Sequence, residues 1–210
     1  VVTALTPGIF LPLGASAPLT DLSGNARNGT AGGGLTAGGY TPGPLTLSDG
    51  GATDFDGTND RISTTYSPFV AASTRTFMGW AYQDTTSGFQ CLFSSFAAAP
   101  AQLRIDSGTS NVTWLVDGTV AHTWTSAWPG VTRWVHWAMV FNDVANTASL
   151  YINGALVSTI SGVTVAYTGG SPVLYIGIRG TALDIPWNGK QAWFSVHEAG
   201  LSATNIRDAY

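Results

Sequence analysis

Short apolar runs, many of them alternating with polar positions, recur along the chain between clusters of turn residues. A period of two marks strands that bury one face, and Val, Ile, Thr, Trp, Tyr and Phe dominate these runs. The pattern predicts strands at Gly8–Leu13, Arg61–Thr65, Thr76–Tyr82, Gln90–Phe93, Gln102–Asp106, Val112–Val116, Thr119–Trp124, Trp134–Asn142, Ala148–Ile152, Ala155–Ile160, Val173–Ile178 and Gln191–Val196. Helical spacing is confined to Ser202–Tyr210, where Ser202 can cap a short turn. The Gly-rich stretch Gly29–Pro44 reads as long loops.

Two hairpins carry the strongest local signal. Asn153-Gly154 and Asp117-Gly118 each separate two apolar runs, and a type I′ turn needs two residues with φ > 0. The first predicts Ile152 opposite Ala155, Tyr151 opposite Leu156 and Leu150 opposite Val157. Leu150, Ile152, Ala155 and Val157 then share a core face, and Tyr151 lies on a side open to a partner. The same parity puts Val135, Trp137, Met139 and Phe141 together as a core row, with Trp134, His136, Ala138 and Val140 facing away. So many short strands, with no break in composition and no repeat, predict one all-β domain over residues 1–210, a two-sheet antiparallel β-sandwich.

Composition narrows the function. Charged residues are 10% of the chain against 44% hydrophobic, the net charge is −4, and Lys190 is the single lysine. Without a basic stripe, nucleic-acid binding is not expected. The apolar runs are too short for a bilayer-spanning helix, so no membrane insertion is expected. Cys91 stands alone, which excludes an intrachain disulfide and a zinc knuckle; it reads as a small buried hydrophobe.

Taken in order, several segments resemble laminin-G-like domains of the concanavalin A-like lectin/glucanase superfamily. They are GIFLPLG at Gly8–Gly14, DLSGNARNGT at Asp21–Thr30, DFDGTNDRIS at Asp54–Ser63, FMGWAY at Phe77–Tyr82, RWVHWAMVF at Arg133–Phe141 and LYINGALV at Leu150–Val157. VLYIGI at Val173–Ile178, WNGKQAWFSV at Trp187–Val196 and GLSATNIRDAY at Gly200–Tyr210 continue the resemblance. It implies a jelly roll of the concanavalin A type and leaves lectin, hydrolase, lyase and adhesion functions open. Relatives often hold a calcium ion through loop carboxylates, so the resemblance implies Asp21, Asp56 and Asp60 as candidate Ca²⁺ ligands. Against the ion, Ala192 and Trp193 stand where relatives show an acidic pair.

The chemistry favours binding over cleavage. A retaining glycosidase needs two carboxyl groups ~5–5.5 Å apart. Glu198 is the only glutamate, and the eleven aspartates fall mostly in turns such as Asp56-Gly57 and Asp117-Gly118. His122, His136 and His197 are dispersed, and no Gly-x-Ser-x-Gly elbow occurs. Eight tryptophans offer flat apolar rings on which sugar faces stack. Trp80, Tyr82, Trp114, Trp128, His136 and Tyr151 are the candidate ligand-binding residues, with Trp128 expected at a loop tip. Trp124, Trp128 and Trp193 are the tryptophans a sandwich least requires.

The expected function is a non-catalytic binding module for carbohydrate or a cell-surface receptor, located outside the cell or on a virion surface. The alternative is a structural protein of a virus particle (a decoration, head-fibre or tail-fibre domain) that binds other proteins. A polysaccharide-cleaving enzyme is the minor alternative.

Overall fold

Alternation along the chain becomes two stacked antiparallel sheets in the computed structural model. The structure describes residues 6–14, 19–35, 40–44, 51–69, 73–96, 101–116, 120–165, 173–180 and 182–210. The early strands are β1 (Ile9–Leu11), β2 (Gly29–Gly32), β3 (Tyr40–Pro42), β4 (Gly51–Asp56) and β5 (Arg61–Thr64). Next come β6 (Thr74–Gln83), β7 (Gln90–Phe96), β8 (Ala101–Ile105), β9 (Val112–Val116) and β10 (Val120–Trp124). The chain continues through β11 (Trp134–Asn142), β12 (Thr147–Ile152), β13 (Ala155–Ser161), β14 (Val173–Ile176) and β15 (Asn188–His197) to helix α1 (Ala203–Ala209).

The first sheet runs β13-β12-β11-β6-β15-β4-β3, and β1 also pairs with β15. The second runs β10-β9-β8-β7-β14-β5-β2. Strand β15 is shared along its length: Asn188–Gln191 pair with β4, and Phe194–Val196 pair with β1. A bulge between Ala192 and Ser195 separates the two halves on the β6 side, and Trp193 sits there with φ 55°. Bulges of this kind bend a strand and re-aim a side chain.

Between the sheets lies one aromatic-rich core. Val135, Trp137, Met139 and Phe141 of β11 are all fully buried, as parity requires. Phe77, Phe93 and Trp137 stack in sequence, with centroids 4.5 Å and 5.7 Å apart. Phe55, near the end of β4, plugs the same core.

Several expectations are corrected here. Trp114 is fully buried between Phe69, Phe77, Phe93 and Phe141, so it is core and not a ligand platform. Trp128 is no loop tip: its backbone N–H donates to Ser110 O at 2.8 Å, and its ring closes the core against Trp187. Trp124 is also buried, its indole donating to Ser158 O at 3.1 Å. The Gly-rich stretch is not all loop, because β2 and β3 form edge strands within it.

The Asn153-Gly154 turn is as expected, with φ 49° and 76°, and Tyr151 faces Leu156. A bulge between Leu150 and Tyr151 shifts the register, however, so Leu150 faces Ser158 rather than Val157. Ala155 and Val157 are exposed and do not join the core, since β13 is the sheet's edge and passes the core's rim. Tyr151 is not open to a partner either. Helix α1 lays Ile206 over it, and both join Phe10, Met78 and Ala138 in a second buried cluster. Ser202 caps that helix as predicted, accepting from Asn205 N at 3.2 Å. Residues 117–119, including the Asp117-Gly118 turn, lie outside the described residues.

Candidate functional site

The outward face of the first sheet is divided in two. Helix α1 covers the half that carries Met78, Ala138 and Tyr151. The other half carries a row set by strand register: Trp134 of β11 opposite Tyr82 of β6, Tyr82 opposite Lys190 of β15, Lys190 opposite Asp54 of β4. Four neighbouring strands thus present an indole, a phenol, an ammonium and a carboxylate side by side.

Their contacts are mutual. Tyr82 and Trp134 meet edge to face at 5.6 Å, and Lys190 Nζ lies 4.8 Å from the Tyr82 ring centroid, within cation–π range. Lys190 Nζ is 3.4 Å from both Asp84 oxygens and 3.9 Å from Asp54 Oδ1. Burial holds the Asp54 carboxyl above its ordinary pKa; Lys190 opposes this, while Asp84 and Asp60 add to it. Gly189 makes the row possible. Its φ is 132°, and a Cβ there would fall 2.1 Å from Tyr82 O, so only glycine lets β15 approach β6 this closely.

One rung further along, Trp80 faces His136 and Ala192. Trp80 packs with Ala52 and Ala192, and half-buried Trp134 and Trp193 lean on that cluster. Tyr210, 54% exposed, stacks on Trp80 with centroids 5.5 Å apart. His136 is buried against both rings, and burial pushes its pKa down to about 4, so it is neutral near pH 7. It is part of the platform's support, with no edge available to a ligand.

Of the six residues expected to bind, the structure brings together Trp80, Tyr82 and His136 on this half-face. Trp114, Trp128 and Tyr151 are elsewhere and buried. Sequence reading missed Trp134, Lys190, Asp54, Asp84 and Tyr210. For Trp134 the signal was present, since it shares parity with His136; the others meet only through the strand order.

The three aspartates expected to hold calcium do not converge, and among the described residues no group of three or more His, Cys, Asp and Glu is placed to hold a metal. Their oxygens serve the backbone. Asp21 accepts from the N–H groups of Phe10, Ser23 and Arg27, each at 2.9 Å, and from the Ser23 hydroxyl at 2.8 Å. Asp60 accepts from Gly34 N at 2.9 Å and Asp56 N at 3.1 Å, while Asp56 accepts from Thr58 N at 2.8 Å.

Burial raises the Asp21 pKa, but these bonds outweigh it and hold the carboxyl below its ordinary value. A depressed carboxylate stabilises the fold above its unfolded pKa of about 3.9 and loses that contribution as pH falls through the folded value. Asp21→Asn is therefore expected to cost about 1–3 kcal/mol at pH 7. The deficit should start to shrink as pH falls below about 3.9, where the unfolded chain binds the proton first, and should keep shrinking as pH falls through the lower folded value. Urea unfolding at pH 7 and pH 3 checks both.

Glu198 is also engaged: it accepts from the Tyr66 hydroxyl at 3.2 Å and Arg27 at 3.1 Å, with Arg27 lying over the Tyr66 ring. Burial and the Glu198 charge push Tyr66 up to about 12, so it is no base near neutrality.

A laminin G family model, described as the concanavalin A-like lectin/glucanases superfamily, matches residues 56–207. The chain belongs to this superfamily. Among curated proteins, no match is found. Solved structures of the same fold include domain 4 of AbnA, an extracellular GH43 arabinanase from Geobacillus stearothermophilus, in complex with arabinotriose. That domain is 17% identical with a TM-score of 0.77, the alignment covering 96% of this chain and 97% of that one.

The botulinum neurotoxin serotype G binding domain is 13% identical, with a TM-score of 0.69 and coverage of 97% and 50%. A further neurotoxin binding domain, of type DC in complex with rat synaptotagmin II, is 12% identical with a TM-score of 0.68 and coverage of 100% and 52%. The chain thus spans about half the length of these toxin domains. At such identities the likeness is one of fold.

Proposed function

We propose that the chain is a non-catalytic carbohydrate-binding module acting outside the cell, with its ligand on the open half of the first sheet. The observation that carries this reading is the register-aligned row Trp134–Tyr82–Lys190–Asp54. Sugars are bound where an aromatic surface meets ring C–H faces and a few charged or amide groups meet hydroxyls. Here Trp134 and Trp193 offer half-buried indoles, and Lys190, Asp54 and Asp84 offer one donor group and two acceptors at their edge. Arabinotriose in domain 4 of AbnA supports a saccharide on this fold and gives a first probe.

Calorimetric titration with arabinotriose and with xylo-, gluco- and galacto-oligosaccharides tests the reading. Trp134→Ala is expected to weaken binding at least tenfold while the unfolding midpoint moves little, because its ring is only half buried. Absence of binding to the whole panel at millimolar concentration overturns it.

Two other readings each rest on one feature. Attachment to other proteins of a cell surface or virus particle is favoured by β13, an uncharged edge strand exposing Leu156 and Val157. A concentration-dependent dimer in light scattering, lost in Val157→Lys, would support it. Cleavage is favoured by the raised pKa of Asp54 beside Asp84. Both carboxylates are ion-paired to Lys190 on an open sheet, which favours holding hydroxyls over protonating a leaving group. Release of reducing ends from the same panel, lost in Asp54→Asn, would reinstate the enzyme.

A further inference from the structure

We propose that this face selects uncharged saccharides and rejects anionic ones such as uronates and sialylated glycans; the inference rests on the carbohydrate reading above. Recognition of an acidic sugar needs an unspent cation, ideally a forked one. The row has one cation, Lys190, the only lysine in the chain. Its Nζ already lies 3.4 Å from both oxygens of Asp84 and 3.9 Å from Asp54, and its remaining side rests over the Tyr82 ring. Two carboxylates against one ammonium leave the row negative, and the nearby Asp60, which is itself buried, adds to the same field around Asp54.

Other cations near this face do not offset that balance. Arg207 of α1 is paired with Asp208 at 3.3 Å. Arg133 is exposed where it leads into β11, outside the row. A ligand carboxylate placed beside Lys190 would therefore displace an existing partner and face the released charge of Asp54 or Asp84. A neutral ring meets the same groups without penalty: its hydroxyls donate to the carboxylates and accept from the ammonium. Rejection by fixed like charge is selectivity through repulsion, and it weakens with salt.

The experiment pairs neutral and acidic oligosaccharides of equal length and linkage. Oligogalacturonates and their carboxyl-reduced α-1,4-galacto-oligosaccharide counterparts are titrated calorimetrically into the protein at low and at high salt, with β-1,4-xylo-oligosaccharides as a second neutral series. Wild type is expected to bind a neutral member at least tenfold tighter than any uronate at low salt, with the gap narrowing at high salt. Asp84→Asn, an exposed position, and the double variant with Asp54→Asn are expected to close most of that gap by gaining uronate affinity. Arg133→Gln is expected to leave it unchanged.

Uronate binding equal to or tighter than neutral binding, still lost in Trp134→Ala, overturns the selectivity and keeps the carbohydrate site. An unchanged ratio in a folded Asp84→Asn and double variant also overturns it. No binding of either class, or binding indifferent to Trp134→Ala, overturns the site and the selectivity with it.

Discussion

Replacing Trp114 with alanine should lower the free energy of unfolding by about 3–5 kcal/mol, the usual cost of emptying a buried tryptophan site. The ring contacts Phe69, Phe77, Phe93 and Phe141, so the cavity opens in the middle of the aromatic core. Relaxation there is limited, because Phe77 is itself clamped between Phe69 and Phe93. Trp114→Phe should cost much less than the alanine variant. Its smaller ring loses some contacts but also removes an indole N–H that is buried with no hydrogen-bond partner among the described residues. Urea denaturation of both variants measures the difference. Saccharide affinity of whichever variant folds should match wild type, since Trp114 belongs to the other sheet.

Gly189→Ala should be comparably severe, about 3 kcal/mol, and should reach the proposed binding face as well. The added methyl would meet the carbonyl of Tyr82 at 2.1 Å and the backbone N of Asp84 at 3.0 Å. Neither is the far end of a flexible side chain, so relief requires β15 to move away from β6. That movement carries Lys190 off Tyr82 and Asp84. The variant should therefore show both a lowered unfolding midpoint and weakened saccharide binding, whereas Trp114→Ala shows only the first. Thermal unfolding and calorimetry on the same preparations separate the two.

How much was legible follows from what each residue's neighbours are. In β11 both rows were assigned to the correct sides, because Val135, Trp137, Met139 and Phe141 outweigh a row broken by His136 and Ala138. In β9 parity puts Trp114 on one side with Val112 and Val116, but local pattern cannot say which side faces inward, since Leu115 on the other side is apolar too. Trp128 was misplaced because turn residues surround it in sequence, while its surroundings in space are Ser110 and Trp187. Tyr151 was misplaced because its cover, Ile206, arrives from the far end of the chain. The row at Lys190 was unreadable for a topological reason. Trp134 meets Tyr82 only when β11 pairs with β6, and Lys190 and Asp54 join them only once β15 inserts between β4 and β6; no local propensity reports strand order.

The stacking of Tyr210 on Trp80 has a practical side. Any residues that follow Tyr210, whether the protein's own, an affinity tag or a fused partner, would start beside the rings of the proposed sugar face. Measurements on such a fusion would understate any affinity of the proposed face for a saccharide, and the shortfall could be mistaken for a wrong choice of sugar.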